Sequence, residues 1–186
     1  MRLAVLASGE GTILEALIAA GLDIAVVVVD RPCRATERAE AAGIPVAVIA
    51  RQSFGADFDR AAYSKQVALA LHDHGCDLAA IAGFGTVLDP VFFDEFAHPV
   101  LNTHPSLLPS FKGWHAVDDA LAGGVKVTGC TVHIATAEVD AGPILAQEAV
   151  PVLPGDDAAT LHERIKAVER RLYPDTIARV ARGELP

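Results

Sequence analysis

The chain has 186 residues, 52% of them hydrophobic, with 15 Lys and Arg against 24 Asp and Glu for a formal net charge of −9. A chain of this length suits one domain and can bury about 70% of its unfolded surface; an acidic chain without a basic face argues against phosphate-backbone contacts, so no nucleic-acid partner is expected. The longest apolar run, Ile24 to Val29, ends at Asp30-Arg31 and is too short to span a bilayer, and Met1-Arg2 leads straight into an apolar strand, so neither membrane attachment nor a signal peptide is expected and the expected location is cytoplasmic.

Cys33, Cys76 and Cys130 are scattered and odd in number. They make neither a disulfide framework nor a C-x-x-C pair, and read as reduced thiols in a reducing compartment. No trio of His, Cys and carboxylate has metal-site spacing, so no metal is expected.

Leu3 to Ala7 is a continuous apolar run, as in a parallel strand buried on both faces. Ser8-Gly9-Glu10-Gly11-Thr12 then turns into a helix with Ile13, Leu14, Leu17 and Ile18 at helical spacing. A glycine-rich turn at a helix N-terminus is an anion site, with free backbone N–H groups and a favourable dipole. Leu14 stands where a dinucleotide fingerprint needs its third glycine, and the Walker lysine is absent, although Asp30 ends the next strand as a dinucleotide site would want. A ribose phosphate, a dinucleotide and a plain turn all remain open on these residues.

Further on, Glu37 to Ala42 reads as a short helix stopped by Gly43, Pro45 to Ala50 as a strand, and Ser53 to Asp57 as a loop. Asp59 to His74 reads as a helix closed by Gly75, and Asp77 to Ala82 as a strand before the loop Gly83-Phe84-Gly85-Thr86. Past Val100-Leu101 comes Asn102-Thr103-His104-Pro105-Ser106-Leu107-Leu108-Pro109. A helix is expected from Lys112 to Leu121 and a strand from Val125 to Ile134. A tight loop at Asp140-Ala141-Gly142-Pro143 precedes a strand from Ile144 to Val152 and a long helix capped by Asp156-Asp157. Alternating strands and helices of this length mean an α/β fold, with a mostly parallel central sheet and helices on both faces. No repeat or linker interrupts residues 1–186, so one domain is expected.

Asn102, His104 and Asp140 are the candidates for chemistry. Pro105 disfavours the helical region for His104 and holds it extended at the end of a strand, where α/β sheets bind ligands. An amide or imidazole can donate to a developing oxyanion, and a histidine or carboxylate of tuned pKa can take a proton from an attacking amine. Asp140 could orient the imidazole. On residue types alone this set is one reading among several, a hydrogen-bonded loop being the commoner fate of Asn-x-His. His133 reads either as a crevice residue or as a hydrogen-bonded sheet histidine. His72 and His74 read as cations at a helix C-terminus, and His98, His115 and His162 as surface or supporting positions.

Three segments carry a resemblance: LNTHPSLLPSFKGWHA, GVKVTGCTVHIATAEVDAGPILAQEAVPV and LHERIKAVERRLYP. Together they resemble the glycinamide ribonucleotide formyltransferases, folate-dependent enzymes of purine synthesis, and the likeness covers nearly the whole chain. It implies a Rossmann-like formyltransferase fold, with residues about 1–100 phosphate-binding and about 101–186 folate-binding and catalytic. It implies 10-formyltetrahydrofolate as formyl donor and the amine of glycinamide ribonucleotide as acceptor, with only small-molecule partners and a monomer or homodimer. Asn102, His104, Asp140 and His133 would be catalytic, and the substrate would rest on Gly11, Thr12, Ile13 and Glu169. The folate would lie against Gly85, Thr86, Val87, Leu88 and Asn102, and against Thr136, Ala137, Glu138 and Val139, with Arg60 nearby. The Leu108–Pro109 peptide would be cis.

Two departures stand out. Thr12-Ile13 replaces the family's usual Ser-Asn, and Glu10 adds a carboxylate that must point outward for a phosphate to bind. Gly85-Thr86 replaces the family's Met-Arg and removes a permanently charged donor. Formyltetrahydrofolate hydrolase, a formyltransferase acting on a related amino sugar or nucleotide, and a non-catalytic folate or nucleotide binder are the alternatives. Methionyl-tRNA formyltransferase is also similar, but the acidic charge opposes tRNA.

Overall fold

The computed structural model describes residues 1–53, 55 and 57–185. The chain divides into two compact units, Met1–Val100 and Leu101–Pro186.

The first unit alternates strand and helix. It runs β1 (Leu3–Ala7), α1 (Thr12–Ala19), β2 (Ile24–Val29), α2 (Arg34–Ala41), β3 (Val46–Val48), α3 (Arg60–Asp73), β4 (Leu78–Ile81) and α4 (Pro90–Glu95). β1 pairs with β2 and β4, and β2 with β3, all parallel. The apolar runs of β1 and β2 are buried along almost their whole length, as expected of strands covered on both faces. α1 packs on α2 and α3 on α4. Because the strands run the same way, Ser8, Asp30 and the Gly83–Thr86 loop all emerge at one edge, where such sheets bind ligands.

The second unit contains β5 (Val100–His104), α5 (Ala116–Ala122), β6 (Val127–Ile134), β7 (Ile144–Pro151) and α6 (Ala158–Ala181). β5 pairs with β6 and β6 with β7, both antiparallel. Side chains alternate across a strand, so the two faces differ. One face presents Cys130 and Val150 to Val117 of α5 and to Leu161 and Ile165 of α6. The opposite face carries Asn102, His104, Thr131, His133 and Gln147. Asp157 caps α6 by accepting from Thr160 N–H at 2.8 Å, while the Thr160 hydroxyl accepts from Asp157 N–H at 2.9 Å, a reciprocal capping box.

Some boundaries differ from expectation for local reasons. α2 begins at Arg34 rather than Glu37, because the Thr36 hydroxyl accepts from Cys33 N–H at 3.4 Å and closes the first turn. The helix expected from Lys112 begins at Ala116, because Phe111 and Gly113 take φ of 55° and 91°. α4 was not apparent in the sequence; Asp89 caps it by accepting from Val91 N–H, and Pro90 opens it. The loop expected over 53–57 includes Phe54 and Ala56, which lie outside the described residues. Among the described residues, no helix is long and apolar enough to cross a membrane.

Candidate active site

The second unit gathers Asn102, His104, His133 and Asp140. Asn102 and His104 are two residues apart on β5 and share a face. Register with β6 sets Asn102 opposite His133 and His104 opposite Thr131. After His104 the chain turns, with Ser106 N–H donating to His104 O at 2.9 Å. The Leu108–Pro109 peptide is cis, as the resemblance implied.

Thr131 and Gln147 hold that turn. The Thr131 hydroxyl donates to Ser106 O at 2.6 Å and accepts from Leu108 N–H at 3.1 Å and Gln147 Nε2 at 2.9 Å. Gln147 also donates to Leu108 O at 2.9 Å. A hydroxyl has one proton and two lone pairs, so Thr131 is fully used.

Asp140 reaches the cluster from the loop between β6 and β7. Its φ of 53° is left-handed, a conformation that aspartate tolerates better than most residues. Two residues on, a Cβ at Gly142 would sit 1.8 Å from the Ile134 carbonyl oxygen, so only glycine lets the loop close here. Asp140 Oδ2 accepts from Gly113 N–H at 2.8 Å and lies 3.3 Å from His104 Nδ1. Asp140 Oδ1 lies 3.6 Å from His133 Nε2. Burial by itself would push the Asp140 carboxyl up. The neighbouring His133 and His104 rings and the Gly113 N–H outweigh burial and hold it below the ordinary carboxylate value.

The two histidines are wired differently. His133 Nδ1 donates to Ile134 O at 3.0 Å, which leaves Nε2 to accept from Asn102 Nδ2 at 3.2 Å. His104 faces an acceptor on each side, the Asp140 carboxylate at Nδ1 and Phe111 O at Nε2, 2.8 Å away. That arrangement suits a ring with a proton on both nitrogens. His104 is only 5% exposed. The left-handed φ of Phe111 brings a carbonyl onto its outer nitrogen.

Glu169 on α6 does not join this face. It lies against the Thr103 hydroxyl, which projects off the other side of β5 from Asn102 and His104. Burial pushes its carboxyl up against the opposing effect of Thr103. Thr136 to Val139 lead directly into Asp140. The Thr136 hydroxyl donates to Glu138 O at 3.1 Å, and Glu138 lies 3.9 Å from Lys112 Nζ. Among the described residues no group of three His, Cys, Asp or Glu could hold a metal.

In the first unit, Gly11 caps α1 with φ of 71°, and Thr12 and Ile13 open the helix. The Ile13 side chain is buried, so only its backbone can face a ligand. Glu10 is exposed and its carboxylate lies 3.7 Å from Arg34 Nη1. Arg60 opens α3 and is exposed. In the Gly85–Leu88 segment, Thr86 and Leu88 are buried, and Gly85 N–H donates to Ser8 Oγ at 2.6 Å.

Four contributors escaped the sequence reading: Phe111, Gly113, Thr131 and Gln147. The sequence places Gly113 inside the helix expected from Lys112. The others matter through register or backbone conformation.

Residues 1–177 match the family profile described as formyl transferase. The phosphoribosylglycinamide formyltransferase of Mycobacterium tuberculosis is 48% identical over 185 residues, 97% of this chain and 85% of the relative. The trifunctional purine biosynthetic protein adenosine-3 of Homo sapiens is 42% identical over 189 residues, 98% of this chain and 18% of that much longer relative. Among solved structures, the phosphoribosylglycinamide formyltransferase of Anaplasma phagocytophilum matches with TM-score 0.90 at 39% identity, covering 98% of this chain and 88% of that one. The glycinamide ribonucleotide transformylase 1 of Symbiobacterium toebii matches with TM-score 0.91 at 40% identity and the same coverage, 98% and 88%. With the α/β formyltransferase fold expected from its sequence, and with relatives this similar across nearly its full length, the chain belongs to the formyl transferase family.

Proposed function

We propose that the protein transfers the formyl group of 10-formyltetrahydrofolate to the amine of glycinamide ribonucleotide. The observation that carries this reading is the convergence of Asn102, His104, His133 and Asp140 on one face of the second unit. Such a set suits acyl transfer to an amine, which needs a donor for an oxyanion and an acceptor for a proton.

The amine attacks the formyl carbon, and the carbonyl oxygen takes up negative charge. Asn102 donates one amide proton to His133 and has a second for that oxygen. His104 donates from Nε2, exchanging the Phe111 carbonyl for the oxyanion. Asp140, held ionised, keeps a proton on His104 Nδ1. It also accepts the proton lost by the attacking nitrogen, directly or through water, and returns it to the departing folate nitrogen as the carbon–nitrogen bond breaks.

Gly11, Thr12 and Ile13 bind the substrate phosphate through backbone N–H groups at the start of α1, with the Thr12 hydroxyl in support. Glu169 holds the ribose. Gly85, Thr86, Val87 and Leu88 receive the folate, with Arg60 near the donor. The whole chain works as one formyltransferase domain on small molecules, as a monomer or homodimer.

The test follows deformylated folate from 10-formyltetrahydrofolate, with and without glycinamide ribonucleotide. Acceptor-dependent turnover is expected. Turnover independent of acceptor would make the protein a hydrolase, and tight binding without turnover would make it a sensor.

A further inference from the structure

The mechanism leaves Asp30 and Arg31, at the end of β2, without a task. Asp30 is 2% exposed. Arg31 grips its carboxylate with both arms, Nε to Oδ1 at 2.9 Å and Nη2 to Oδ2 at 3.0 Å. Burial would push the Asp30 carboxyl up. The Arg31 guanidinium, the Ser8 hydroxyl and the Thr86 hydroxyl together hold it below its ordinary value. An ion pair whose arginine is half-exposed is weak evidence of a stabilising role, since such pairs contribute little. Its geometry is the more informative feature.

That geometry centres on Gly85 and Thr86. The Thr86 hydroxyl donates to Asp30 Oδ2 at 3.4 Å, and the Gly85 N–H donates to Ser8 Oγ at 2.6 Å. A Cβ at Gly85 would lie 3.0 Å from Arg31 Nη2 and 3.4 Å from both Asp30 Oδ2 and Ser8 Oγ. Polar groups from the ends of β1 and β2 therefore fill the space that a side chain at position 85 would take. Ser8 N–H also donates to Gly83 O at 3.1 Å, pinning the start of the same loop. On its apolar side, Phe84 stacks on Tyr63 with ring centroids 6.5 Å apart.

We infer that Asp30 is a positioning residue for the formyl donor: gripped by Arg31, it acts with Ser8 to fix the backbone of Gly85 and Thr86 in the shape that receives the folate. This rests on the assignment of the Gly85–Leu88 segment to the folate made above. The Gly85-Thr86 pair that departs from the family's usual residues is thus accommodated by a brace from the neighbouring strands.

Steady-state kinetics on the full chain, with donor and acceptor varied separately, tests the inference. Asp30→Asn keeps the shape and removes the charge that holds Arg31; Ser8→Ala removes the acceptor of the Gly85 N–H and a hydrogen bond to Asp30. Each should raise KM for 10-formyltetrahydrofolate about tenfold, leave KM for glycinamide ribonucleotide within about twofold, and recover kcat at saturating donor. An unchanged donor KM in both variants overturns the inference, as does an equal rise in both KM values. If circular dichroism shows Asp30→Asn unfolded, Ser8→Ala decides alone: a donor-selective rise supports the brace and a flat donor KM removes it. Absence of donor-dependent turnover in the wild-type protein would overturn the functional reading and this inference with it. A flat donor KM in an active enzyme removes only the inference.

Discussion

The Asp140 carboxylate stands 3.3 Å from His104 Nδ1, while the other ring nitrogen of His104 meets the Phe111 carbonyl at 2.8 Å. An imidazole between a carboxylate and a carbonyl has no acceptor role to fill; it serves as a donor on both sides. Asp140→Asn removes the charge that sustains this arrangement and the group assigned to carry the proton. The variant should lower kcat/KM by about a thousandfold with the fold retained by circular dichroism. A near-normal rate would withdraw both roles from Asp140.

The same carboxyl makes stability depend on pH. Its pKa is held below the ordinary 3.8 in the folded protein. The stabilisation it contributes is therefore fully present above the unfolded pKa and fades as pH falls through the lower folded value. Urea unfolding of wild type and Asp140→Asn should show the wild type ahead at pH about 6.5, with the gap narrowing at pH about 3. A gap that widens on acidification would contradict the direction of the shift.

His133 Nε2 lies 3.2 Å from Asn102 Nδ2 and its Nδ1 bonds the Ile134 carbonyl, and two substitutions separate these nitrogens. Asparagine mimics Nδ1 and keeps a donor near Ile134 O but cannot reach Asn102. Glutamine extends toward the place of Nε2. His133→Gln should retain at least about tenfold more kcat than His133→Asn, with similar KM values for the two variants. Equal losses would mean that the bond to Asn102 does not matter for turnover.

Thr131 makes three hydrogen bonds with one buried hydroxyl. Thr131→Val conserves volume but strips Ser106 O and Leu108 N–H of their partner. The expected cost is about 2–3 kcal/mol in urea unfolding, since buried groups left unpaired bear their full desolvation penalty. A loss below about 0.5 kcal/mol would show that the turn is held by other contacts.

Gly142→Ala places a Cβ against the backbone oxygen of Ile134, an atom that cannot swing aside. The loop must shift, and Asp140 with it. Thermal unfolding should register a loss of about 3 kcal/mol, and kcat should fall with it. Retained stability and rate would mean that the loop relaxes without moving the carboxylate.

Much of the fold was legible because its signals are local. The buried runs of β1 and β2, the glycine loop before α1 and the acidic cap before α6 each depend on residues within a few positions of one another. α4 was missed because a six-residue helix shows too little periodicity, and its local marks are the Asp89 cap and Pro90 at its first turn. The structure brings Asn102, His104, His133 and Asp140 together, yet in the sequence only family resemblance distinguished His133 from an ordinary sheet histidine. Composition along a strand says which faces alternate but not what stands opposite.

Chain order and residue chemistry were enough to establish the α/β class, the candidate acid, amide and imidazoles, and the glycine turn suited to an anion. Folding in three dimensions decided the rest: that Asn102 meets His133 across a strand pair, that Phe111 O covers His104, and that the Thr86 hydroxyl donates to Asp30 from 56 residues away. The division has a physical basis. Hydrophobic period and capping act over a turn or a pleat, whereas strand register and loop backbone angles are settled by the packing of distant segments. A one-residue slip between β5 and β6 would leave every element in place and take the site apart.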